Sequence, residues 1–201
     1  MAEPHVEYLR GPEIEQRFEQ LAELRMRVFA EWPYLYAGTV AEEREFLQYY
    51  IESSQTLAVV VVDGSQVVGL STAMPLTDES PRIQRPFVHN DWDPARILYL
   101  AESILLPDYR GQGFYRHFFE AREAHARRLG GYDWTTFCGV IRPKDHPQRP
   151  ADYQPLDPIW QHFGYEPRQE LVAWYPWLDI GENEETEKPL QFWVKPVSAS
   201  P

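Results

Sequence analysis

Two glycines and two arginines lie close together just before a predicted helix, and this combination could bind an anion. The glycines are Gly111 and Gly113, and the arginines are Arg110 and Arg116. Backbone N–H groups at a helix start point outward at the positive end of the helix dipole, and glycine lets a ligand approach them. Guanidinium groups suit phosphates. The pattern predicts a phosphate site, although a tight strand-to-helix turn without a ligand would carry the same glycines.

The elements on either side of this turn would hold it in place. An apolar strand is predicted over residues 97–106, and Pro107 would end it because proline cannot donate to a sheet. A helix is predicted over residues 113–129, where Gly130 would stop it. Arg122 falls in the apolar stripe of that helix, so its guanidinium is expected to be paired or to reach solvent.

The residues around the turn resemble the pyrophosphate loop of the GNAT acetyltransferases. That loop follows the pattern Arg/Gln-x-x-Gly-x-Gly/Ala, and Arg110 and Gly113 match its first two fixed positions. Tyr115 stands where a glycine or alanine is usual, and its side chain would either crowd the cofactor or point into the core. Neither a Walker A loop nor the dinucleotide fingerprint is present, because no Gly-Lys-Ser/Thr follows and Gly-x-Gly-x-x-Gly is absent.

The resemblance is strong over residues 102–130 and weaker over about 15–178. It implies an α/β (α+β) fold with a mixed, largely antiparallel sheet of six to seven strands, a central splayed parallel pair and helices on both faces. The parallel pair would be the strand before the turn and a strand over residues 132–141, joined by the crossover helix. One domain is expected over residues 1–178, and an acidic linker and a last strand over 179–201 would complete it.

The resemblance also implies acetyl-coenzyme A as the co-substrate. The loop would hold the pyrophosphate, and free amide and carbonyl groups at Leu105 and Leu106 would bind the pantetheine arm like a short added strand. Trp160 stands where many family members carry a tyrosine near the thiol; since an indole N–H does not give up a proton usefully, no general acid is assigned. The predicted cofactor-binding residues are Ile104, Leu105, Leu106, Arg110, Gly111, Gln112, Gly113, Phe114, Tyr115, Arg116 and Trp160.

A carboxylate on the strand before the loop often serves as the base in this family, and Glu102 occupies that zone. Apolar neighbours would desolvate Glu102 and make it a better base, whereas an ion pair with an arginine such as Arg122 would give it a structural role. The resemblance implies direct acetyl transfer to the primary amine of a small molecule or an amino-acid-like acceptor. A non-catalytic acyl-coenzyme A-binding or regulatory module on the same fold is the alternative.

In the resembling fold, two helices and the break between them wall the acceptor site. Helices are predicted over residues 12–29 and 42–52. The aromatic break over residues 31–38 could equally be a packed loop without ligand contact. Its predicted substrate contacts are Trp32, Tyr34 and Tyr36.

Two long proline-rich segments are predicted to be loops. Residues 75–94 include His89, Asp91 and Asp93, which more often form a surface turn than a metal site, so no metal is predicted. The basic residues of 142–156 could meet the cofactor's ribose phosphate, an acidic acceptor or solvent. A short helix capped by Asp157 follows, and further strands are predicted over residues 57–62, 67–74, 171–175 and 190–195.

The composition of the chain limits which classes of partner and which location are expected. The formal net charge of −12 argues against nucleic acid and would attract cations at long range, although solubility alone accounts for it. No apolar run reaches the roughly 18 residues of a membrane span. A single cysteine, Cys138, excludes an internal disulfide, and with no signal peptide in view a cytoplasmic location is expected. The apolar last strand could pair across a homodimer.

Overall fold

The computed structural model describes residues 3–197, which form one mixed sheet with six α-helices. The strands are β1 (His5–Leu9), β2 (Leu57–Asp63), β3 (Gln66–Pro75), β4 (Ile97–Tyr99), β5 (Ser103–Leu105), β6 (Trp134–Val140), β7 (Glu166–Trp177) and β8 (Thr186–Pro196). The helices are α1 (Pro12–Gln16), α2 (Phe18–Phe29), α3 (Val40–Glu52), α4 (Pro81–His89), α5 (Phe114–Leu129) and α6 (Asp157–His162).

The sheet order is β1-β2-β3-β4-β6-β8-β7, and β5 pairs with β3 beside this path. Within residues 3–197 only β4 and β6 are parallel neighbours. Because β4 and β5 are the two halves of one bent strand, the sheet has seven strand positions. The predicted fold class is therefore confirmed: the sheet is mixed and largely antiparallel, with one central parallel pair.

Helices cover both faces of the sheet, and β2 shows why its sequence is apolar throughout. Ala58 and Val60 pack with residues of α1, α2 and α3, whereas Val59 and Val61 pack with Phe118 of α5 on the other face. A strand buried on both sides has no polar alternation. Helices α1 to α4 thus lie on one face, and α5 and α6 lie on the other.

The predicted continuous strand over residues 97–106 is interrupted. Between β4 and β5 the chain leaves regular pairing, and Arg122 of α5 supports it there. The Arg122 guanidinium donates to the carbonyl oxygens of Glu102 at 3.0 Å and Thr72 at 3.4 Å, and its Nε donates to the Phe118 oxygen at 3.1 Å. Arg122 is fully buried. It is therefore neither solvated nor paired with a carboxylate, as the sequence suggested, but bound to backbone carbonyls.

Residues 75–94 are not the predicted long loop, because they contain α4. Ile83 and Phe87, one helical turn apart, are buried, and the Phe87 ring packs edge-on against Phe192 with centroids 4.7 Å apart. Pro81 stands in the first turn of α4, where its missing N–H costs no helical hydrogen bond. A proline that looked like a loop marker is a helix start.

The acidic segment after β7 is predicted from sequence to be a linker, but its first residue is buried. Asp179 is buried and accepts hydrogen bonds from Arg142 at 2.6 and 2.9 Å, with Lys188 Nζ 3.2 Å away. Arg142 also donates to the backbone oxygens of Pro33 and Tyr34 at 2.8 and 2.6 Å. This arginine of the second proline-rich segment therefore anchors loops.

Two smaller features differ from the sequence reading. Strand β1 was not predicted, and α6 begins at Asp157 without a side-chain cap. None of the helices between residues 3 and 197 combines the length and the apolar character that crossing a bilayer requires. In the same range, no three His, Cys, Asp or Glu side chains gather in a way that could hold a metal ion.

Candidate active site

The two central strands separate after a short parallel pairing. β4 and β6 pair from Ile97 with Trp134 to Tyr99 with Thr136, and Leu100 N–H then donates to the Thr136 oxygen at 2.7 Å. Farther along, β5 pairs with β3, and the rest of β6 pairs with β8. A gap therefore opens in the sheet between β5 and the second half of β6.

Leu105 forms the edge of β5 at this gap. Leu106 N–H donates to the Val68 oxygen at 2.9 Å, so the prediction of a free Leu106 amide is wrong. Hydrogen-bonded positions alternate along an antiparallel ladder, so Ile104 also bonds toward β3 while the N–H and C=O of Leu105 point away from it. Arg110 Nε donates to the Leu105 oxygen at 3.2 Å. The Leu105 N–H is the predicted pantetheine contact that faces the gap.

Three backbone amides of the turn after β5 are open to a ligand. The N–H groups of Gly111, Gln112 and Gly113 donate to no atom of residues 3–197. Gly111 and Gly113 have φ of 77° and 89°, and nothing lies within 4 Å of where their Cβ atoms would stand. Gly113 is the N-cap of α5, and no side chain caps the helix. Unpaired first-turn amides and the helix dipole make this turn suitable for an anion.

The polar side chains of the turn differ in availability. Besides its bond to Leu105, Arg110 reaches Glu31 at 3.2 Å, and Gln112 donates to the Asp108 oxygen at 2.9 Å. Arg116 is exposed and forms no ion pair among the described residues. Arg110 therefore holds the end of β5 in place, while Arg116 is the cation left to meet a phosphate.

Tyr115 and Trp160 join α5 to α6. Trp160 Nε1 donates to the Tyr115 hydroxyl at 2.9 Å, and the Tyr115 ring packs against Phe119 and Phe163 with centroids 5.3 and 6.4 Å apart. Of the two alternatives from the sequence, the tyrosine thus points into the core. Burial raises the pKa of Tyr115. A phenol less acidic than a thiol, whose pKa is about 8.5, can donate a hydrogen bond to a thiolate but not readily its proton.

Glu102 lies at the break between β4 and β5, and its side chain is buried. Arg25 of α2 donates to the Glu102 carboxylate, which also accepts from Tyr50 and Thr72 at 3.2 Å each. The arginine partner is thus Arg25 and not Arg122. Three donors, one of them a guanidinium, thus engage the oxygens of this carboxylate.

Arg25 serves two carboxylates, because it also donates to Glu43 of α3. Burial opposes the charge on Arg25, yet Glu102 and Glu43 outweigh it and raise the pKa of Arg25. All three side chains are nearly inaccessible to solvent. They form a buried ion cluster beneath the gap.

A cavity of about 710 Å³ opens beside this cluster. It meets the sheet at Tyr99, Ala101, Glu102 and Cys138, where the two central strands separate. Its volume falls within the roughly 300–1,000 Å³ of ligand pockets. Many of its walls are aromatic side chains of α2, α3, β7 and the segments beside them, including Phe29, Tyr34, Phe46, Tyr49, Tyr175 and Trp177.

Glu79 lies in the cavity wall without a cationic partner among residues 3–197. It follows a short 3₁₀ turn after β3, and only 8% of the residue is exposed. Ser80 N–H donates to one of its oxygens at 2.7 Å. Burial raises the pKa of Glu79 to about 7, against the opposing effect of the Ser80 N–H. A carboxyl group with this pKa can take up and release a proton near neutral pH.

The predicted acceptor residues separate into two groups. Tyr34 and Tyr36 line the cavity, but Trp32 does not. The Trp32 ring packs instead against His146 and Tyr153, with centroids 5.0 and 5.9 Å apart. The structure therefore brings the two tyrosines to Glu102 and places Trp32 against the second proline-rich segment.

Cys138 faces the cavity but is not poised as a nucleophile. Its Sγ lies 3.3 Å from the Tyr99 hydroxyl. Burial raises the pKa of Cys138 to about 12, so the reactive thiolate is scarce at neutral pH.

Sequence reasoning missed Arg25, Glu43 and Glu79. Arg25 falls between Leu21 and Val28 in the apolar stripe of α2, and Glu43 begins the apolar stripe of α3, so two opposite charges in facing stripes could have predicted the pair. Glu79 had no such signal, because it stands alone in a proline-rich segment without periodicity.

These features define what the arrangement can do. An anion can bind at the turn, an extended chain can enter the gap, and a second molecule can lie in the cavity where the gap ends. A carboxyl group that titrates near neutral pH is present at the same place. The site can therefore bring two ligands together and accept a proton from one of them.

No protein-family model matches the sequence, and no curated protein matches it either. Solved structures match nearly the whole chain. Arabidopsis thaliana NAA60 in complex with a bisubstrate analogue gives a TM-score of 0.62 at 13% identity, covering 98% of this chain and 100% of that chain. An aminoglycoside 6′-N-acetyltransferase complexed with coenzyme A gives 0.57 at 17% identity over 98% and 99%. A protein of the GNAT family from Desulfovibrio desulfuricans gives 0.57 at 13% identity over 96% and 100%. At such low identity the similarity is one of fold, and the chain has the fold of the GNAT acetyltransferases.

Proposed function

We propose that the protein transfers an acetyl group from acetyl-coenzyme A to the primary amine of a small-molecule or amino-acid-like acceptor. The observation that carries this proposal is the junction of three features: open amides at the start of α5, a gap in the sheet behind them, and a cavity that meets the gap at Glu102 and Cys138. Structures of similar fold that contain coenzyme A or acetyl-coenzyme A support it.

The residues of the turn fit a diphosphate. The space above Gly111 and Gly113 is clear, and Arg116 is free to supply a positive charge. Leu105 N–H would receive a pantetheine amide. When bound, the co-substrate supplies an activated acetyl group, and the chain supplies the cavity in which an amine is held beside it.

Thermal stabilisation by acetyl-coenzyme A tests the cofactor assignment. At about 100 times the dissociation constant the unfolding free energy should rise by about 2.7 kcal/mol. Gly113→Ala should lower the affinity for acetyl-coenzyme A at least tenfold and so reduce the stabilisation. The reason is that a φ of 89° disfavours a residue with a Cβ, so the turn amides must move.

Gly130→Ala is the matched control for this variant. It places a Cβ at another positive φ, 72°, at the opposite end of α5 and away from the turn, so it should leave the affinity for acetyl-coenzyme A unchanged. No stabilisation of the wild type, or equal affinity of both variants, would contradict the proposal.

A non-catalytic acyl-coenzyme A-binding module is the second candidate. The pair of Trp160 and Tyr115 favours it, because an indole N–H and a phenol whose pKa burial raises offer no readily released proton for a leaving thiolate. Release of free thiol from acetyl-coenzyme A with a panel of amines separates the two functions. A protein that binds the cofactor but releases no thiol with any amine is the module.

A further inference from the structure

The residues that line the cavity include many more acidic than basic side chains. Two arginines line it, Arg25 and Arg82. Arg25 is already bound by two carboxylates, and Arg82 reaches Glu187 outside the lining at 3.4 Å. The acidic lining residues are Glu42, Glu45, Glu52, Glu79, Glu102 and Glu185. Apart from Glu102, whose charge Arg25 compensates, the lining glutamates form no ion pair within residues 3–197.

The acidic groups occupy two separate places. Glu79 is buried, and it lines the cavity together with Tyr99 and Cys138, which lie where the cavity meets the gap. Glu45, Glu52 and Glu185 are exposed and stand at the solvent side. Besides Glu102, which Arg25 neutralises, one carboxylate thus lies at the inner end of the cavity, and three lie at its outer end.

Many walls of the cavity are aromatic. Phe46 and Tyr175 pack with ring centroids 5.8 Å apart, and Tyr49 of α3 stands beside them in the lining. Such walls suit an apolar body, and the faces of aromatic rings also attract cations. The cavity therefore combines aromatic walls with one buried carboxylate and three exposed ones.

We propose that the acceptor is a diamine, with two ammonium groups joined by an apolar body, one bound beside Glu79 and the other at the outer glutamates. This assignment rests on the proposed acetyl transfer for its inner amine. Glu79 supports the inner binding position, because this residue lines the cavity, is more than nine-tenths buried and has no cationic partner within residues 3–197.

Glu79 also has a defined part in the reaction. Its carboxylate takes one proton from the inner ammonium, and the freed nitrogen lone pair forms a C–N bond to the thioester carbonyl carbon. The C–S bond breaks, and its electron pair leaves on sulphur as a thiolate. The second nitrogen proton passes to the thiolate or to solvent, so the products are an N-acetyl amine and a free thiol.

Calorimetric titration without coenzyme A tests the acceptor class. The probes are 1,6-diaminohexane, hexylamine and hexanoate, which share one apolar chain and differ in charge. At pH 8 the diamine should bind at least tenfold more tightly than hexylamine, and hexanoate should bind more weakly than either. Equal affinity for the two amines, or tighter binding of hexanoate, would overturn the proposal.

Three variants separate the two ends of the cavity. Glu79→Gln should weaken both amines about tenfold, whereas Glu52→Gln with Glu185→Gln should weaken the diamine alone. Glu120→Gln on the exposed side of α5, outside the cavity, should bind both like the wild type. Wild-type affinity in Glu79→Gln would also overturn the proposal.

Turnover distinguishes failure of this inference from failure of the proposed function. With acetyl-coenzyme A, Glu79→Gln should lower kcat at least 100-fold, while the outer double variant should raise KM for the diamine with kcat nearly unchanged. Acetylation of hexylamine as efficient as that of the diamine would refute the diamine and leave acetyl transfer standing. Tight diamine binding without any thiol release would refute acetyl transfer and leave the binding site standing.

Discussion

Two buried glutamates in one cavity have opposite surroundings. Glu102 accepts hydrogen bonds from Arg25, Tyr50 and Thr72, so its charge is compensated. Glu79 has one backbone N–H and no cation among the described residues. Glu102, which the resemblance implies as the base, is thus held in an ion pair, whereas Glu79, which the sequence did not indicate, has no cationic partner within residues 3–197.

The raised pKa of Glu79 predicts a pH-dependent stability. Its value of about 7 in the folded chain exceeds the ordinary 4.5, so the neutral form is favoured by folding. The stability it contributes is complete below pH 4.5 and is lost as pH rises through 7, by about 3 kcal/mol in all. Burial is the main cause, Glu102 adds to it and Arg25 opposes it.

Denaturant unfolding between pH 4.5 and 8 measures this effect. Glu79→Gln has no titrating group at the site, so its stability should fall less with pH than that of the wild type. Glu120→Gln controls for the loss of an exposed charge and should follow the wild-type curve. Parallel curves for Glu79→Gln and wild type would show that Glu79 titrates normally.

Removing Arg25 should be strongly destabilising. Arg25→Met leaves Glu102 and Glu43 buried without a cation, which costs about 3–5 kcal/mol. For a chain of this size that corresponds to a fall in Tm of about 6–20 °C. Adding Glu43→Gln and Glu102→Gln should recover part of the loss, because no buried charge then remains. A Tm of Arg25→Met within about 2 °C of wild type would contradict the buried cluster.

At the scale of elements, the break between β4 and β5 decides where the gap begins. The sequence from Ile97 to Leu106 is too uniformly apolar to show the break, so a continuous strand was predicted. At the interruption, Arg122 comes from α5 and donates a hydrogen bond to the carbonyl of Glu102. A local pattern cannot reveal a donor that arrives from another element.

Local chemistry did predict other elements well. Gly113 and Gly130 marked the ends of α5 because each position has a positive φ that glycine favours. The opposite happened with α4, since Pro81 and Pro86 hid a helix whose Ile83 and Phe87 face the core. The turn and its helix were thus readable from sequence, whereas the cavity walls, which come from distant segments, were not.

Gly139 lies so close to Trp160 of α6 that a larger residue would not fit. A Cβ at this position would stand 2.7 Å from the Trp160 ring, which Phe137 and Trp193 hold with centroids 5.1 Å away on each side. Gly139→Ala should therefore destabilise the chain by about 1–3 kcal/mol.

Thermal unfolding of a double variant checks the cause of that loss. Trp160→Leu removes the ring, so adding Gly139→Ala to it should cost less than 0.5 kcal/mol, roughly the size of a surface substitution. An equal cost of Gly139→Ala in both backgrounds would show that the clash with Trp160 is not responsible.

At the scale of the whole molecule, the net charge and the cavity have the same sign. A surface of −12 would draw a cationic acceptor toward the site, and salt would screen that attraction. Raising ionic strength from about 10 to 150 mM should lower kcat/KM for 1,6-diaminohexane about tenfold, through KM. Steady-state kinetics at constant pH measures this, and kcat should change little. If kcat/KM did not depend on salt, the net charge would not attract the acceptor, and it would contribute only to solubility.

The cavity and the turn lie on different sides of the sheet. The cavity is walled by helices α2, α3 and α4 on one face, whereas the turn amides stand at the start of α5, which packs on the other. In the proposed reaction, each co-substrate thus enters from its own face of the sheet, and both can be bound at the same time. The acetyl group would then pass through the gap in the sheet directly from one co-substrate to the other, and no residue of the chain would be acetylated on the way.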